Sequence, residues 1–319
     1  MTRNSRRPIR WAVPVPAPGA PRRRSVRLSV WTTGQRDRSA QLRDRGYVPD
    51  TGTDLEQIPP AVAAHAIAHY SRSGGLVVDP DCGAGTVPTE ALRSGRHAVG
   101  MTADTQWWRV ARANLTAAKH AGAWTDGSVL DTSPHRSLTA ARDVGLVRRA
   151  DLVLTTIRTL PLPDGRSPDP DLESAVAARV RLWSALLRPG GHAVVILRPH
   201  RSADGTLLDL PTAVLDAAVA VGLTPLDRCV ALIAGLRGTR IAPRATSTER
   251  RAADRARAAG APTALVAHHT ALILRAPDVI ERRLDRSLTA WRAVRSRTDL
   301  PGHPVVLDHD RYPWGRTVA

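Results

Sequence analysis

The sequence contains no phenylalanine, only three tyrosines, eight tryptophans and two methionines. A core must therefore be assembled from aliphatic side chains and alanine, closely packed rather than filled with rings. Two cysteines, Cys82 and Cys229, exclude a disulfide framework and fit a reducing compartment. No apolar run approaches the ~20 residues that a membrane-spanning helix requires. The opening Met1-Thr-Arg-Asn-Ser-Arg-Arg7 is basic, but prolines follow where a secretory leader needs an apolar stretch. These shortages predict a cytoplasmic, soluble protein. Lysine is nearly missing as well: Lys119 stands alone, so the formal charge of +17 rests on arginine.

Positive charge is what the chain has in excess, with an isoelectric point near 11.5. Codon usage in a GC-rich genome accounts for part of it. The rest is physical, because so cationic a surface attracts phosphate backbones and does so in a salt-dependent way. Composition thus favours a nucleic-acid partner. Residues 1–28 scatter Arg3, Arg6, Arg7, Arg10, Arg22, Arg23, Arg24 and Arg27 among prolines, with too little apolar surface to order themselves. They read as a disordered arm that either contacts phosphates or only solubilises. A second basic run, Arg237 to Thr263, interrupts the last apolar segments, and a third begins near Arg282.

Between these runs, apolar stretches of strand length alternate with amphipathic stretches of helix length. Strands are predicted over 76–80, 97–101, 126–131, 151–155, 192–197, 225–236 and 264–276. Helices are predicted over 58–70, 86–94, 105–121, 136–146, 171–188 and 209–221, with Pro59 and Pro60 in the first turn of the first. Alternation of this kind argues for a doubly wound α/β sheet, mostly parallel and seven-stranded, whose last two strands form an antiparallel hairpin. The boundaries that follow are an arm over 1–28, a domain over 29–277 carrying the arginine-rich insert 237–263, and a basic helix with extended tail over 278–319.

The most informative stretch is Leu76-Val-Val-Asp-Pro-Asp-Cys-Gly-Ala-Gly-Thr86. An apolar strand ends in Asp79, a tight turn carries Gly83 and Gly85, and a helix starts near Thr86. Glycines there let backbone N–H groups approach a ligand, and the helix start favours an anionic group. A dinucleotide loop would carry a third glycine, which Thr86-Val-Pro88 does not supply. Asp79 and Asp81 would repel a pyrophosphate but suit a ligand bearing an ammonium and a sulfonium. An ordinary strand-to-helix turn is the alternative use of the same glycines.

Asp79-Pro-Asp-Cys-Gly-Ala-Gly-Thr86, followed by Glu90-Ala-Leu-Arg-Ser-Gly-Arg-His-Ala-Val-Gly100, resembles the cofactor motif of class I methyltransferases, and most nearly the DNA amino-methylase branch in its actinobacterial form. Ser29-Val-Trp-Thr-Thr-Gly-Gln35, Ile58-Pro-Pro-Ala-Val-Ala-Ala-His-Ala-Ile-Ala-His-Tyr70 and Leu187-Arg-Pro-Gly-Gly-His-Ala-Val-Val-Ile196 are similar to other segments of that family, in the same order. The resemblance implies a Rossmann-like methyltransferase fold with S-adenosyl-L-methionine as cofactor. It implies that Asp79, Asp81, Cys82, Gly83, Gly85 and Thr86 hold that cofactor, with Asp131 facing the adenine amine. The family's ribose-binding acid falls on Thr102. Asp104, two residues on, keeps the side-chain parity and either replaces it or caps the helix from Thr105.

The resemblance weakens at the catalytic motif. Amino-methylases place a polar residue, two prolines and an aromatic after the fourth strand, to accept the amine hydrogens and stack on the base. Here Thr155-Thr156-Ile157-Arg158-Thr159 stands in that place. Thr156 and Arg158 are the residues expected to face the target. Either they support a divergent transfer to a nucleic-acid amine, DNA before RNA, or the chain is an impaired methyltransferase that still binds nucleic acid. Transfer to RNA or to a small molecule is a further alternative. No metal site is expected: His65 and His69 have a compatible spacing but no third ligand, and His268-His269 read as structural.

Overall fold

The computed structural model describes residues 26–132, 136–158, 172–201 and 206–278. The arm expected over 1–28 lies outside them but for its last three residues, as does the tail beyond Asp278. β1 (Val30–Trp31), α1 (Arg38–Asp44), a 3-10 turn (Pro49–Thr53) and α2 (Pro60–Tyr70) lead into the first crossover. That crossover is β2 (Leu76–Asp79), α3 (Thr86–Arg93) and β3 (His97–Thr102), followed by α4 (Thr105–His120) and β4 (Gly127–Asp131). Next come α5 (Ser137–Asp143), β5 (Ala150–Thr156), α6 (Leu172–Leu186), β6 (Leu187–Leu197) and α7 (Leu210–Ala220). β7 (Thr224–Leu232), β8 (Gly235–Arg237), β9 (Arg240–Ala242), α8 (Ser247–Ala258) and β10 (His268–Arg275) complete the described chain.

The main sheet runs β1-β7-β10-β6-β5-β2-β3-β4. All its pairings are parallel except those of β10, which is antiparallel to both β6 and β7. Every residue of β5 is buried, the signature of a strand covered on both faces. One core cluster joins α2, α3 and α4 to one face, through residues such as Ile67, Leu92 and Leu115. A second joins α6 and α7 to the other, around Trp183, Leu186 and Val214. Alanine lets these helices lie close, which is how a chain without phenylalanine reaches a dry interior.

Three features depart from the sequence reading. The sheet has eight strands rather than seven, because Val30–Trp31 adds to β7 along its outer edge. Two residues are too few for an alternating pattern to register. A separate two-stranded hairpin, β8 with β9, stands outside the main sheet in the arginine-rich insert, which also contains α8. Finally, Pro189-Gly190-Gly191 lies within β6, and α6 ends earlier, at Leu186. Gly190 takes φ +68°, and the β5–β6 register shifts between Ala150 and Leu152, so the glycines accommodate an irregular start of the strand. No helix among the described residues is long and apolar enough to cross a membrane.

The segment ahead of α2 is fastened over the first crossover by two buried side chains. Glu90 of α3, fully enclosed, accepts hydrogen bonds from Tyr47 Oη at 2.7 Å and Arg93 Nη1 at 3.0 Å and pairs with Arg45. Asn114 of α4 accepts from Val48 N at 2.9 Å and donates to Thr51 Oγ1 at 2.7 Å and Ala84 O at 2.9 Å. Replacing Glu90 by alanine removes the shared acceptor of one phenol and two guanidinium groups, and an equilibrium denaturation series should show a loss of about 1–3 kcal/mol. Glu90→Gln, which keeps an acceptor for Tyr47, should lose distinctly less.

Candidate functional site

In a doubly wound sheet, ligands gather outside the carboxyl ends of the strands where the chain order reverses. Here that point lies between β2 and β5, since β3 and β4 extend one way and β6, β10 and β7 the other. The loop after β2 carries Gly83 and Gly85; the residues after β5 are Ile157 and Arg158. Both glycines take left-handed backbone angles, φ +48° and +79°. A Cβ on Gly85 would lie 2.7 Å from the Ala111 Cβ, so this glycine lets α3 and α4 approach. A Cβ on Gly83 would lie 2.3 Å from Arg158 Nη1 and 2.4 Å from Asp54 Oδ2. Gly83 thus leaves room for an ion pair laid directly over the loop.

That pair is the centre of the site. Arg158 Nη2 donates to Asp54 Oδ1 at 2.7 Å and Nη1 to Oδ2 at 3.1 Å. Asp54 Oδ2 also accepts from Ala84 N at 2.9 Å, and Oδ1 from Glu56 N at 3.1 Å. The loop amide that an anionic ligand would use is taken by a carboxylate of the chain itself. Two more acids approach the guanidinium, Asp81 at 3.8 Å and Glu56 at 3.9 Å. Asp79 sits behind them, buried, accepting from Asp81 N at 3.1 Å. Burial pushes the Asp79 carboxyl up to about 7, against the opposing pull of the Asp81 amide, and it raises Asp81 as well. The result is an acid-walled cage around the Arg158 guanidinium, with Arg179 near Asp81 and Arg38 near Asp54.

The other residues singled out from the sequence are placed as follows. Cys82 is buried against β3, where a Cβ on Gly100 would meet its Sγ at 2.7 Å, and burial lifts its thiol well above the ordinary range. Burial on this scale keeps the thiol in its protonated form. Thr86 donates to Gln57 Oε1 at 2.8 Å. Thr156 is buried at the end of β5. Arg158, expected to face a target, is instead directed into the cage. Asp104 caps α4, accepting from Gln106 N at 2.7 Å and Trp107 N at 3.2 Å, and its own N–H donates to Thr102 Oγ1 at 3.3 Å. Asp131 is exposed and pairs in register with Thr102. Trp108 Nε1 donates to Val129 O at 3.1 Å, which ties the helix to β4.

The structure therefore brings Asp79, Asp81, Gly83 and Arg158 together, and leaves Asp104 and Asp131 on neighbouring strand ends. It adds Asp54, Glu56 and Gln57, which the sequence reading did not single out. The only signal for them was an acidic dipeptide spacing just before Ile58-Pro-Pro, with nothing to connect it to Arg158. His65 and His69 stack on each other at 4.1 Å, and His65 packs on Trp31 at 4.6 Å. Among the described residues no group of three or more His, Cys, Asp or Glu is placed to hold a metal ion.

No protein-family model matches the chain, and no curated protein matches it. Among solved structures it is similar to TrmN from Thermus thermophilus, with 17% identity and a TM-score of 0.44 over 72% of this chain and 52% of that one. The chain thus spans about half the length of TrmN, at 52%. It is similar to the cyclase SpnF, with 14% identity and a TM-score of 0.44, covering 70% of this chain and 85% of that one. A TehB-like S-adenosylmethionine-dependent methyltransferase from Corynebacterium glutamicum has 12% identity and a TM-score of 0.39, covering 70% and 91%.

Because the Asp79 carboxyl is raised from 3.8 to about 7, the native state holds its proton more tightly than the unfolded chain does. Its contribution to stability is complete below about pH 4 and is lost as pH rises through 7. Asp79→Asn keeps an acceptor for the Asp81 amide and removes the titration. Thermal unfolding measured from pH 4 to 8 should show the variant gaining on the parent as pH rises; parallel curves would contradict this account.

Proposed function

We propose that this chain is an S-adenosylmethionine-dependent methyltransferase acting on an exocyclic amine of a nucleic acid, in the manner of the amino-methylases. The observation that carries the proposal is the receptor at the switch point: a guanidinium and a loop amide converge on one carboxylate, with further acids around them. The amino-acid end of the donor is an α-carboxylate beside an ammonium. Arg158 and the Ala84 N–H are the donors that carboxylate needs, and Asp79 and Asp81 are the acceptors that ammonium needs. Asp54 stands where the ligand's carboxylate would go, and it gives way when the ligand enters. When bound, the donor supplies an electrophilic methyl group on a sulfonium.

The remaining residues divide the work along the rim. Asp104 uses Oδ1 for both helix amides, leaving Oδ2 for a ribose hydroxyl. Asp131, at the end of β4, meets the adenine amine. Thr156 ends β5 beside the loop and accepts a hydrogen of the target amine. The phosphates belong to α8, which buries none of its residues and presents Arg250, Arg251, Arg255 and Arg257 to solvent. In this reading residues 29–277 form the catalytic unit, flanked by basic extensions, and DNA is the preferred substrate.

A second reading keeps the donor and the nucleic acid but not the transfer. It is favoured by Ile157, which lies in the core at 2% exposure beside the place where amino-methylases present an aromatic ring. Calorimetric titration of the donor, together with transfer of its labelled methyl group to DNA and to RNA, separates the readings. Donor binding with label in DNA supports the first; binding without label in either polymer supports the second. Label in RNA alone redirects the substrate. Absence of donor binding at millimolar concentration removes both.

Two variants sharpen the test. Arg158→Ala should weaken donor binding by about ten- to a hundredfold, the worth of a charge-assisted hydrogen-bond pair, whereas Asp54→Asn should not weaken it. Charge removal on α8 has a different signature. Each arginine that touches phosphate and is replaced by glutamine should lower the slope of log affinity against log salt by about 0.9 on duplex DNA.

A further inference from the structure

A cavity of about 390 Å³ lies between α8 and the ends of β6 and β10. Ala252, Ala253, Ala264, Leu265 and Val266 give it apolar walls, and the small alanines leave its volume open. Five polar side chains line the same space: Arg198, Arg244, Glu249, Thr263 and His269. His269 lines it, buried, with Nδ1 shielded from solvent and without a hydrogen-bond partner. Burial and the nearby Arg198 hold this imidazole down at about 3, so it is neutral at any physiological pH. Arg198 and Arg244 also line the cavity. Their hydrogen bonds run to the carbonyl oxygens of Leu55, Gly34 and Gln35, and among the described residues neither forms an ion pair. Glu249 is the one acid among the lining residues; its Oε2 accepts from Thr246 N at 2.6 Å and Oγ1 at 2.9 Å, and these bonds together with the nearby Arg198 hold its carboxyl below the ordinary range.

We propose that this cavity receives a single nucleotide, with the base between the alanine face of α8 and Leu265, its edge on His269, and its phosphate on Arg198 and Arg244. Volume, an apolar slot, a neutral imidazole with Nδ1 unpartnered and two guanidinium groups without a direct ion pair among the described residues, though Glu249 and Asp37 lie near them, match a flat heterocycle carrying an oxyanion. The position suits an acceptor. Arg198 follows β6 on the same rim as the glycine loop, and it bonds to Leu55 O, between Asp54 and Glu56 of the cage. Assigning the nucleotide as the methyl acceptor rests on the function proposed above; its binding does not.

The test uses the full chain without methyl donor, titrated with adenosine and cytidine 5′-monophosphates, with the matching nucleosides, with inorganic phosphate and with a short single-stranded DNA. Saturable binding of a monophosphate, weakened in Ala253→Trp, is expected. Arg244→Gln should weaken the monophosphates by about tenfold or more while leaving the nucleosides nearly unchanged. Ala253 is only half-buried on a helix with no buried residues, so the tryptophan should be tolerated; circular dichroism checks this, and Ala252→Leu replaces it if not. Single-stranded DNA that binds in a Trp-sensitive way without monophosphate binding assigns the cavity to a nucleotide within a strand. Binding unaffected by either filling variant, or phosphate binding as tightly as the monophosphates, overturns the proposal. Donor titration on the same sample keeps the two ideas apart: a nucleotide that binds where the donor does not sinks only the methyl transfer, and the reverse sinks only the pocket.

Discussion

A carboxylate and a guanidinium 104 positions apart in the chain meet over a glycine, and the rim of the sheet at its switch point is arranged around that meeting. Burying two such ions costs several kcal/mol each, and the attraction between them offsets this only with good geometry and with their remaining hydrogen-bonding capacity satisfied. Asp54 meets both conditions: two contacts from Arg158 and one each from the Ala84 and Glu56 amides surround its oxygens. The pair also depends on what holds its two ends. Asp54 follows the 3-10 turn that Asn114 ties down, and Arg158 leaves a strand buried from end to end.

Three electrostatic environments share one edge of the molecule as a consequence. The cage around Arg158 is acidic and desolvated enough to raise two aspartates. The cavity beside it holds a neutral histidine and two guanidinium groups. Beyond that, α8 turns a row of arginines to water. A cation and a polyanion would be drawn to different ends of this series, and high salt weakens the outer part more than the buried one.

Much of the architecture was legible because burial leaves periodic traces. Leu76-Val-Val followed by glycines, and Val153-Leu154 within an unbroken apolar run, point to central parallel strands. Proline at the start of α2 and the acids that cap α4 and α7 mark helix starts. β1 escaped because two residues show no period, and the irregular start of β6 escaped because Pro-Gly-Gly is the local signal for a stop. Half of the cage was legible, too. Asp79, Asp81 and Gly83 lie within five residues of one another, so their proximity follows from a single turn. Asp54 and Glu56 carry no such mark, since a solvated loop uses the same residues.

The sequence by itself determined where most of the central strands and helices form, the glycine turn between them, and the surplus of arginine. Those are short-range properties, set by side-chain alternation, steric freedom at Gly83 and Gly85, and composition. Only the tertiary structure decided which charge meets which. The sequence holds 45 arginines, and the choice of Arg158 for the acids of the cage depends on β5 lying beside β2, with α3 and α4 holding Asp54 above the loop. Coulomb attraction acts through space and its strength depends on burial, so partners distant in sequence leave no local pattern from which to read their pairing.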